Sequence, residues 1–268
     1  MLLIERSGYY AWLKRKPSQR RISNEVLDKR ISALFHAHQS RYGVVRMTEE
    51  LRGEGETCSK NRVARRMKSL GLKAKAKKKF KVTTDSKHHL PVAPNLLNRD
   101  FSTTGPNQKW VGDITYIWTE EGWMYLAVVI DLYSRTVIGW SMQPTMSRQL
   151  VCDALIMALW RRKFPRNVLF HSDRGSQYCS HDYQKILKIY GLICSMSRKG
   201  NCWDNAIAES FFHSIKTELV YTERYTTREI AKQSIFQYIE TYYNRVRRHS
   251  ALGSIAPEVF ENQCKKVV

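Results

Sequence analysis

Residues 110–143 decide the fold, and they read WVGDITYIWTEEGWMYLAVVIDLYSRTVIGWSMQ. The stretch contains three runs rich in β-branched and aromatic residues, a composition typical of strands: WVGDITYIW, WMYLAVVIDLYS and TVIGWSMQ. Short turns at Glu120-Glu121-Gly122 and Ser134-Arg135 separate them. Because strands joined by such short turns pair antiparallel, the sequence predicts a three-stranded meander.

Helices and strands alternate beyond the meander. Residues 147–162 form an amphipathic pattern that Ser147 can cap, and NVLFHSD at 167–173 is a strand pattern. A helix at 180–191, a strand at 192–197 and helices at 203–221 and 226–248 follow. The predicted class of this part is α/β, with a mixed five-stranded sheet and helices on both faces.

The charge of the chain is large and unevenly distributed. Its 268 residues carry a net charge of +21, and the first hundred residues account for +15 of it. A strongly basic surface attracts polyanions, either nucleic acid or an anionic membrane. A chain that is basic merely for solubility, the alternative, would not need the uneven distribution. Hydrophobic residues make up 43% of the chain, enough for a packed core. We therefore expect a DNA-binding N-terminal part followed by a globular domain.

The N-terminal part has the pattern of a helix-turn-helix at 45–71. Its second helix begins after Ser59, a good N-cap, and ends at Gly71. The basic residues of this helix that we expect on DNA are Lys60, Arg62, Arg65 and Arg66. A plain helical hairpin with a solvated basic face is the alternative.

The predicted organisation is a small all-α DNA-binding domain (1–72), a basic linker (73–104) and the α/β domain (105–268). The linker has a lysine run and no periodicity, so we expect it to lie along phosphates. The sequence has no apolar run of membrane-spanning length and no secretory pattern, which favours a cytoplasmic protein, associated with the nucleoid when bound to DNA. Its six cysteines contain no CxxC pair and are interpreted as free thiols, without a zinc site.

Two aspartates fall on strands that can be neighbours in this sheet. Asp113 lies inside the first strand, where a carboxylate among apolar residues is costly unless it is paired or binds a cation. Asp173 ends the fourth strand, directly after a short apolar run. Side by side, the two carboxylates would repel each other, and a divalent cation would relieve that repulsion. The alternative for Asp173 is an ordinary turn residue in an Asp-x-Gly sequence.

A third acid and a lysine share one edge of a later helix. Glu209 and Lys216 are seven residues, or two helical turns, apart in the helix that starts near Asp204. This edge would carry an acid for a metal and a base for a phosphate. An ordinary pair of surface charges is the alternative.

Together these segments resemble a known family. WVGDITYI, HSDRGSQY (171–178) and NCWDNAIAESFFHSIKTE (201–218) are similar to the catalytic core of insertion-sequence transposases of the IS-three family, relatives of retroviral integrases with an RNase-H-like fold. Thirty-five residues separate Asp173 from Glu209, the spacing for which that family's acidic triad is named. The segments that also resemble the product of the family's second reading frame are SGYYAWLKR (7–15), RYGVVRMTEELRGEG (41–55) and YNRVRRHSALG (243–253).

The resemblance implies a DDE transposase that cleaves DNA and transfers the cut strand by substitution at a phosphodiester. Asp113, Asp173 and Glu209 would be the catalytic acids and the ligands of two Mg²⁺ or Mn²⁺ ions, with Asp113 bridging both. Two such ions about 3.5–4 Å apart clamp the attacking and leaving oxygens, and Mg²⁺ prefers oxygen ligands. Lys216 would hold a phosphate of the transposon end.

Further residues border the expected site. Predicted DNA contacts among them are Arg174, Lys199, Asn201 and Asn205. His171 is interpreted either as a substrate contact or as a structural histidine. Trp203 either stacks on an unpaired base or packs in the core.

Two other classes of protein remain open at the level of sequence. One is a catalytically inactive DNA-binding regulator, which the intact acid triad argues against, and the other is an RNase-H-like nuclease without joining activity. DNA, as transposon ends and as target, is the expected partner, and pairing two ends implies a homo-oligomer on DNA. The sequence has no leucine heptad repeat. In the resembling family an upstream reading frame supplies a helix-turn-helix and a leucine zipper, so we expect this chain to be fused to or assisted by such a protein.

Overall fold

A computed structural model of the protein describes residues 5–75, 90–198 and 202–265. The chain divides into two compact units, residues 1–75 and 76–268. Three predictions lie outside the described residues: the lysine-rich part of the linker at 76–89, and the DNA contacts Lys199 and Asn201. The side chain of Trp203 is likewise not described.

The N-terminal unit is all-α. Its helices are α1 (Arg6–Lys14), α2 (Gln19–Ala37), α3 (Val44–Gly53) and α4 (Lys60–Ser69). The last three contact one another through a small core of Leu27, Ile31, Phe35, Met47, Leu51, Val63 and Met67. Ile22 and Val26 of the same unit are exposed. The stripe that α2 buries is the set Leu27, Ile31 and Phe35, spaced by one helical turn.

Local chemistry sets the limits of α4 as the sequence predicts. The Ser59 hydroxyl accepts a hydrogen bond from the Arg62 N–H at 3.2 Å, which satisfies one of the orphan donors of the first turn. Gly71 follows the helix with a φ of +68°, a conformation that favours glycine. The pair α3 and α4 therefore occupies the segment of the predicted helix-turn-helix.

The second unit is built on a mixed five-stranded sheet. Its strands are β1 (Lys109–Thr119), β2 (Gly122–Asp131), β3 (Val137–Gln143), β4 (Leu169–Ser172) and β5 (Ile193–Met196), in the spatial order β3-β2-β1-β4-β5. The first three strands form the predicted antiparallel meander, while β4 pairs parallel with β1 and β5 pairs parallel with β4. The prediction that the first and fourth strands can be neighbours is confirmed.

Helices accompany the sheet: α5 (Arg148–Arg161), α6 (Ser176–Cys179), α7 (His181–Ile189), α8 (Ala206–Glu218), α9 (Arg228–Gln237) and α10 (Pro257–Lys265). α5 lies so close to β3 that a Cβ on Gly139 would stand 2.1 Å from the Ala154 carbonyl oxygen. Ser147 precedes α5 without capping it, because its hydroxyl donates to Gln143 Oε1 instead. No described helix is both long and apolar enough to cross a membrane. The mixed sheet and the all-α first unit confirm the predicted fold class.

The helix predicted over 226–248 is interrupted. α9 continues into a π-helical segment, Tyr238–Tyr243, which widens the turn. Beyond it the buried Asn244 side chain accepts from the Val137 N–H and donates to the Val137 carbonyl, both at 3.0 Å. Periodicity alone does not reveal this change, since the apolar pattern continues through it.

The sequence predicts that residues 90–104 are part of a linker that lies along phosphates. In the structure this segment instead packs on the second unit. Leu90 and Ala93 pack against the core of the second unit, and Leu97 is buried. The N–H groups of Leu96 and Leu97 donate to the Ser195 hydroxyl of β5 at 2.9 and 3.1 Å. The segment lacks periodicity because it contacts β5 through its backbone and a few isolated apolar side chains. This half of the predicted linker thus belongs to the second unit.

Candidate active site

Strand pairing brings Asp113 and Asp173 together. The parallel register aligns Val111 of β1 with His171 of β4, and each aspartate stands two positions further along its strand direction. Positions two apart on a strand face the same side, and adjacent strands lie about 4.8 Å apart. The end of β4 at Ser172 leaves this corner of the sheet open. The two carboxylates therefore meet beside the free edge of β1.

Each aspartate is oriented by a backbone N–H. Asp113 Oδ1 accepts from Ile114 at 2.8 Å, and Asp173 Oδ1 accepts from Gly175 at 2.9 Å. The strand around Asp113 is closely packed, since a Cβ on Gly112 would stand 2.6 Å from the ring of Phe170. These contacts fix the carboxylates on rigid elements.

The electrostatics of the pair show that the carboxylates interact. Burial, and after it the Asp173 carboxylate, raise the pKa of Asp113 well above its usual value, with a smaller contribution from Glu209. The Ile114 N–H and the Lys216 ammonium oppose this rise. A second carboxylate in a poorly hydrated corner disfavours ionisation of Asp113, and a cation would reverse this.

Glu209 and Lys216 both project from α8, the acid in its first turn and the lysine in its last. Glu209 is exposed, although nearby protein partly removes its carboxyl from water and raises its pKa. Lys216 is only 5% exposed, and its Nζ lies 4.8 Å from the ring centre of Tyr116. Burial lowers the pKa of Lys216 to about 8, against a smaller opposing effect of Asp113. A surface charge pair, the alternative for these residues, does not fit a buried lysine.

The described residues do not form a ready metal site. Within 5–75, 90–198 and 202–265, no three His, Cys, Asp or Glu side chains are arranged as ligands of one ion. Asp113 and Asp173 are half-buried and their carboxylates repel each other, whereas Glu209 interacts with Asp113 more weakly. The arrangement is thus an aspartate pair with a third acid near it. Of the cysteines, those with described side chains are free thiols, as predicted: Cys58, Cys152, Cys179 and Cys194.

Asp204 holds together the segment that leads into α8. Its fully buried carboxylate accepts from the guanidinium groups of Arg198 and Arg99, at distances of 2.9–3.1 Å. It also accepts from Asn95 Nδ2 at 2.8 Å. These donors, the Arg198 side chain foremost, hold the pKa of Asp204 well below its usual range. Sequence reasoning treated Asp204 only as a helix start, since two of its partners lie about a hundred positions away.

An ion pair with both side chains buried supports the other end of α8. Arg247 donates to Glu218 from both Nε and Nη2 at 2.8–3.1 Å, and Nη2 also donates to the Ser214 hydroxyl. The Tyr238 hydroxyl donates to Glu218 Oε2 at 2.8 Å. The side chains of Arg247 and Glu218 are 4% and 7% exposed. Both ends of the helix that carries Glu209 and Lys216 are therefore fixed by buried carboxylates.

Of the predicted contacts around the aspartates, His171 and Asn205 are buried, whereas Arg174 is partly exposed. His171 is fully buried between the hydroxyls of Ser195 (2.8 Å) and Ser197 (3.1 Å), and burial lowers its pKa to about 4. These contacts agree with the structural alternative for His171. Asn205 is also buried and donates to the Gly112 carbonyl, which points to support of β1 rather than DNA contact. Arg174 is partly exposed beside Asp173 and donates from Nε to the Ser197 carbonyl at 2.5 Å.

Of the four basic residues of α4 that we expect on DNA, two are bound to another helix and two are exposed. Arg66 makes a two-pronged ion pair with Asp28 of α2, and Arg62 donates to Asn24 and Ser23 of the same helix. Lys60 and Arg65 are exposed. Arg62 and Arg66 therefore connect α4 to α2, and Lys60 and Arg65 are better placed for a phosphate.

Three family models match the chain. An HTH-like domain matches residues 22–80, and an integrase core domain matches in two pieces, residues 103–202 and 209–264. The matches cover the helix-turn-helix segment and all three acids.

Relatives of similar sequence span nearly the whole chain. Transposase InsF for insertion sequence IS3A of Escherichia coli (strain K12) is 53% identical over 265 residues, which are 98% of this chain and 92% of that protein. The uncharacterized 31 kDa protein of insertion element IS600 from Shigella sonnei is 46% identical over 97% of this chain and 96% of its own length. In fold, the chain resembles a protein in the intasome of simian T-cell lymphotropic virus in complex with PP2A regulatory subunit B56 gamma. That likeness has a TM-score of 0.50 at 14% identity and covers 86% of this chain and 74% of the other.

Proposed function

The chain belongs to the IS-three family of insertion-sequence transposases, and on that premise we propose that Asp113, Asp173 and Glu209 are the acids with which it cleaves and joins DNA strands. The observation that carries this assignment is the register of β1 and β4, which puts two of the acids at one open corner of the sheet. The third projects from a helix that the buried carboxylates of Asp204 and Glu218, with their arginine partners, hold at its two ends.

The donor set fits hard divalent cations. The three groups offer only carboxylate oxygens, the ligand type that suits Mg²⁺ and Mn²⁺. The mutual repulsion of Asp113 and Asp173 favours a site that gains positive charge. We propose that these two residues hold the ions and that the exposed Glu209 completes the set. When bound, two such ions activate the attacking oxygen and stabilise the leaving oxygen at the phosphodiester.

Lys216 is the residue we assign to the DNA phosphate. It is buried against Tyr116, so its ammonium has little freedom, and the Asp113 carboxylate favours its charged form. A fixed cation that interacts with one of the acids orients the scissile strand rather than merely attracting DNA. Arg174, beside Asp173, is assigned to the flanking backbone, and we make the same assignment for Lys199 and Asn201.

Substitution of one acid tests the assignment. Asp173→Asn keeps the size and the Gly175 N–H contact but removes a charged ligand, so strand transfer in Mg²⁺ is expected to fall by orders of magnitude. DNA binding should persist because it depends mainly on phosphate contacts. Asp182→Asn, an exposed acid on α7, is the matched control. Near-normal strand transfer by Asp173→Asn on labelled transposon ends would refute the assignment. Cleavage without joining by the unmodified chain would instead favour a nuclease, and binding without either activity would favour a regulator.

We also propose that the chain acts on DNA as a homo-oligomer, in the bacterial cytoplasm, together with the product of the upstream reading frame. Helix α1 is consistent with a further protein partner, because it buries none of its residues and exposes Tyr9, Tyr10, Trp12 and Leu13. The isolated chain should discriminate transposon ends from random duplex only about tenfold, below the roughly 10³ or more of self-sufficient proteins. A sharp, salt-resistant footprint of the isolated chain over the inverted repeats would contradict this.

A further inference from the structure

A cavity of about 470 Å³ borders the candidate active site, at the tip of the β1–β2 hairpin. Five aromatic side chains line it, together with Lys216: Tyr116, Trp118, Trp123, Tyr221 and Tyr225. Lys216 connects the cavity to the acids, since the same ammonium interacts with Asp113. The volume is within the range of small-molecule sites, about 300–1,000 Å³.

The two indoles of this cavity are about half exposed. Trp118 is 55% and Trp123 is 45% exposed, although their rings contact each other edge to face with centres 4.9 Å apart. Trp123 makes a second perpendicular contact with Tyr116 at 5.0 Å. Aromatic faces left in water beside a cavity favour a planar ligand that stacks on them.

The charges around the cavity balance. Lys216 and Arg224 are matched by Glu120 and Glu223, and Arg224 Nε is bound to Glu120 Oε1 at 2.7 Å. A cavity for phosphate would be predominantly basic. This one suits a neutral ring with polar edges that lies beside the Lys216 ammonium.

Hydrogen bonds from neighbouring segments fix the hairpin tip that forms the cavity wall. The Glu120 N–H donates to the Tyr225 carbonyl at 2.9 Å. Arg228 donates to the carbonyls of Glu121 and Trp123 at 2.6 and 3.2 Å. The hairpin tip is thus bound to Tyr225 and to the first residue of α9. A bound ring would meet a preorganised wall, which lowers the ordering cost of binding.

We propose that this cavity receives one unstacked base of the transposon-end DNA, from the nucleotide whose phosphate contacts Lys216. The inference rests on the proposed function, because it requires a DNA strand at the acids. Bases outside a duplex stack on aromatic side chains with little regard to sequence, and taking a base out of the stack costs least where it is already unpaired, as at a strand end. The base would anchor the strand end while Lys216 holds its phosphate.

Binding by the full chain, without divalent metal, tests the proposal. The probes are a blunt duplex and the same duplex with a single unpaired 2-aminopurine at one end. Trp118→Ala should weaken binding of the overhang probe at least about fivefold, the loss expected for one stacked base, and leave the blunt duplex unaffected. Trp118→Phe, which keeps a ring, should retain most of the overhang preference. The matched control is Trp160→Ala, an indole of α5 that is 68% exposed and lies outside the cavity.

The outcomes separate this proposal from the proposed function. Equal overhang affinity for Trp118→Ala and Trp160→Ala would overturn the base site, whatever the strand-transfer activity. Loss of self-association in Trp118→Ala, with unchanged overhang affinity, would overturn it in favour of a protein side chain in the cavity. Absence of metal-dependent strand transfer by the unmodified chain would remove the proposed function, while a Trp118-dependent overhang preference would still support a base in the cavity.

Discussion

Replacing Arg247 by methionine measures how far the helix carrying Glu209 and Lys216 depends on one buried ion pair. Arg247 and Glu218 are almost completely buried, and Glu218 would retain only the Tyr238 hydroxyl among the donors described above. Removing one partner of a buried pair leaves an uncompensated charge and costs about 3–5 kcal/mol. For a unit of this size, about 2–4 °C per kcal/mol gives a fall in melting temperature of about 6–20 °C.

The assay is thermal unfolding by circular dichroism, with Arg245→Met as the matched control. Arg245 pairs with Glu258 at 3.5 Å, and both side chains are largely exposed, at 62% and 40%. Such a pair contributes about 0–1 kcal/mol, so Arg245→Met should melt within a few degrees of the unmodified chain. The double change Glu218→Leu with Arg247→Met removes both charges and should recover part of the loss. Equal melting temperatures for Arg247→Met and Arg245→Met would refute the reasoning.

Three further predictions concern the site and its supports. Lys216→Arg should keep more strand transfer than Lys216→Glu, because a phosphate contact needs a cation; equal activity of the two in a strand-transfer assay would contradict that role. The arginines hold the pKa of Asp204 well below its usual range, so its contribution to stability is present above about pH 4 and is lost as the pH falls toward the native value. Asp204→Asn should therefore be less stable than the unmodified chain at pH 7, with a difference in denaturant midpoint that narrows below about pH 4; a constant difference across that range would argue against the ion pairs. A fragment of residues 90–268 should unfold at higher denaturant than one of 101–268, which lacks Asn95 and Arg99; matching midpoints would mean that residues 90–100 add nothing.

The sheet can be predicted because each strand and turn is specified by a short, continuous stretch of sequence. Strand runs and short turns identify the meander, and the alternation after it identifies the remaining strands, within a residue or two at most ends. The placing of Asp113 beside Asp173 follows from one further assumption, that β1 and β4 are neighbours, and the observed register satisfies it. The sequence pattern and the family resemblance together therefore suffice to identify the three candidate acids.

What could not be predicted depends on partners distant in sequence. Asp204 resembles an ordinary helix-start aspartate until Asn95 and Arg99 are placed against it. Arg62 and Arg66 belong to a basic stripe, and only the packing of α2 shows that two of its members are already hydrogen-bonded. Residue type indicates what a side chain can bind, whereas the tertiary fold determines which group it actually binds.

The support of α8 by Arg247 has a consequence for synthesis on the ribosome. The chain folds as it is made, N-terminal parts first, and all three acids are translated before Arg247. Until that arginine leaves the exit tunnel, Glu218 lacks the guanidinium that neutralises it, and the helix bearing Glu209 and Lys216 lacks its second anchor. A nascent or prematurely terminated chain that ends before Arg247 thus holds all three candidate acids, while the helix bearing Glu209 and Lys216 lacks one of its two supports. We therefore expect the proposed active site to reach its final geometry only after Arg247, and not merely Glu209, has been translated.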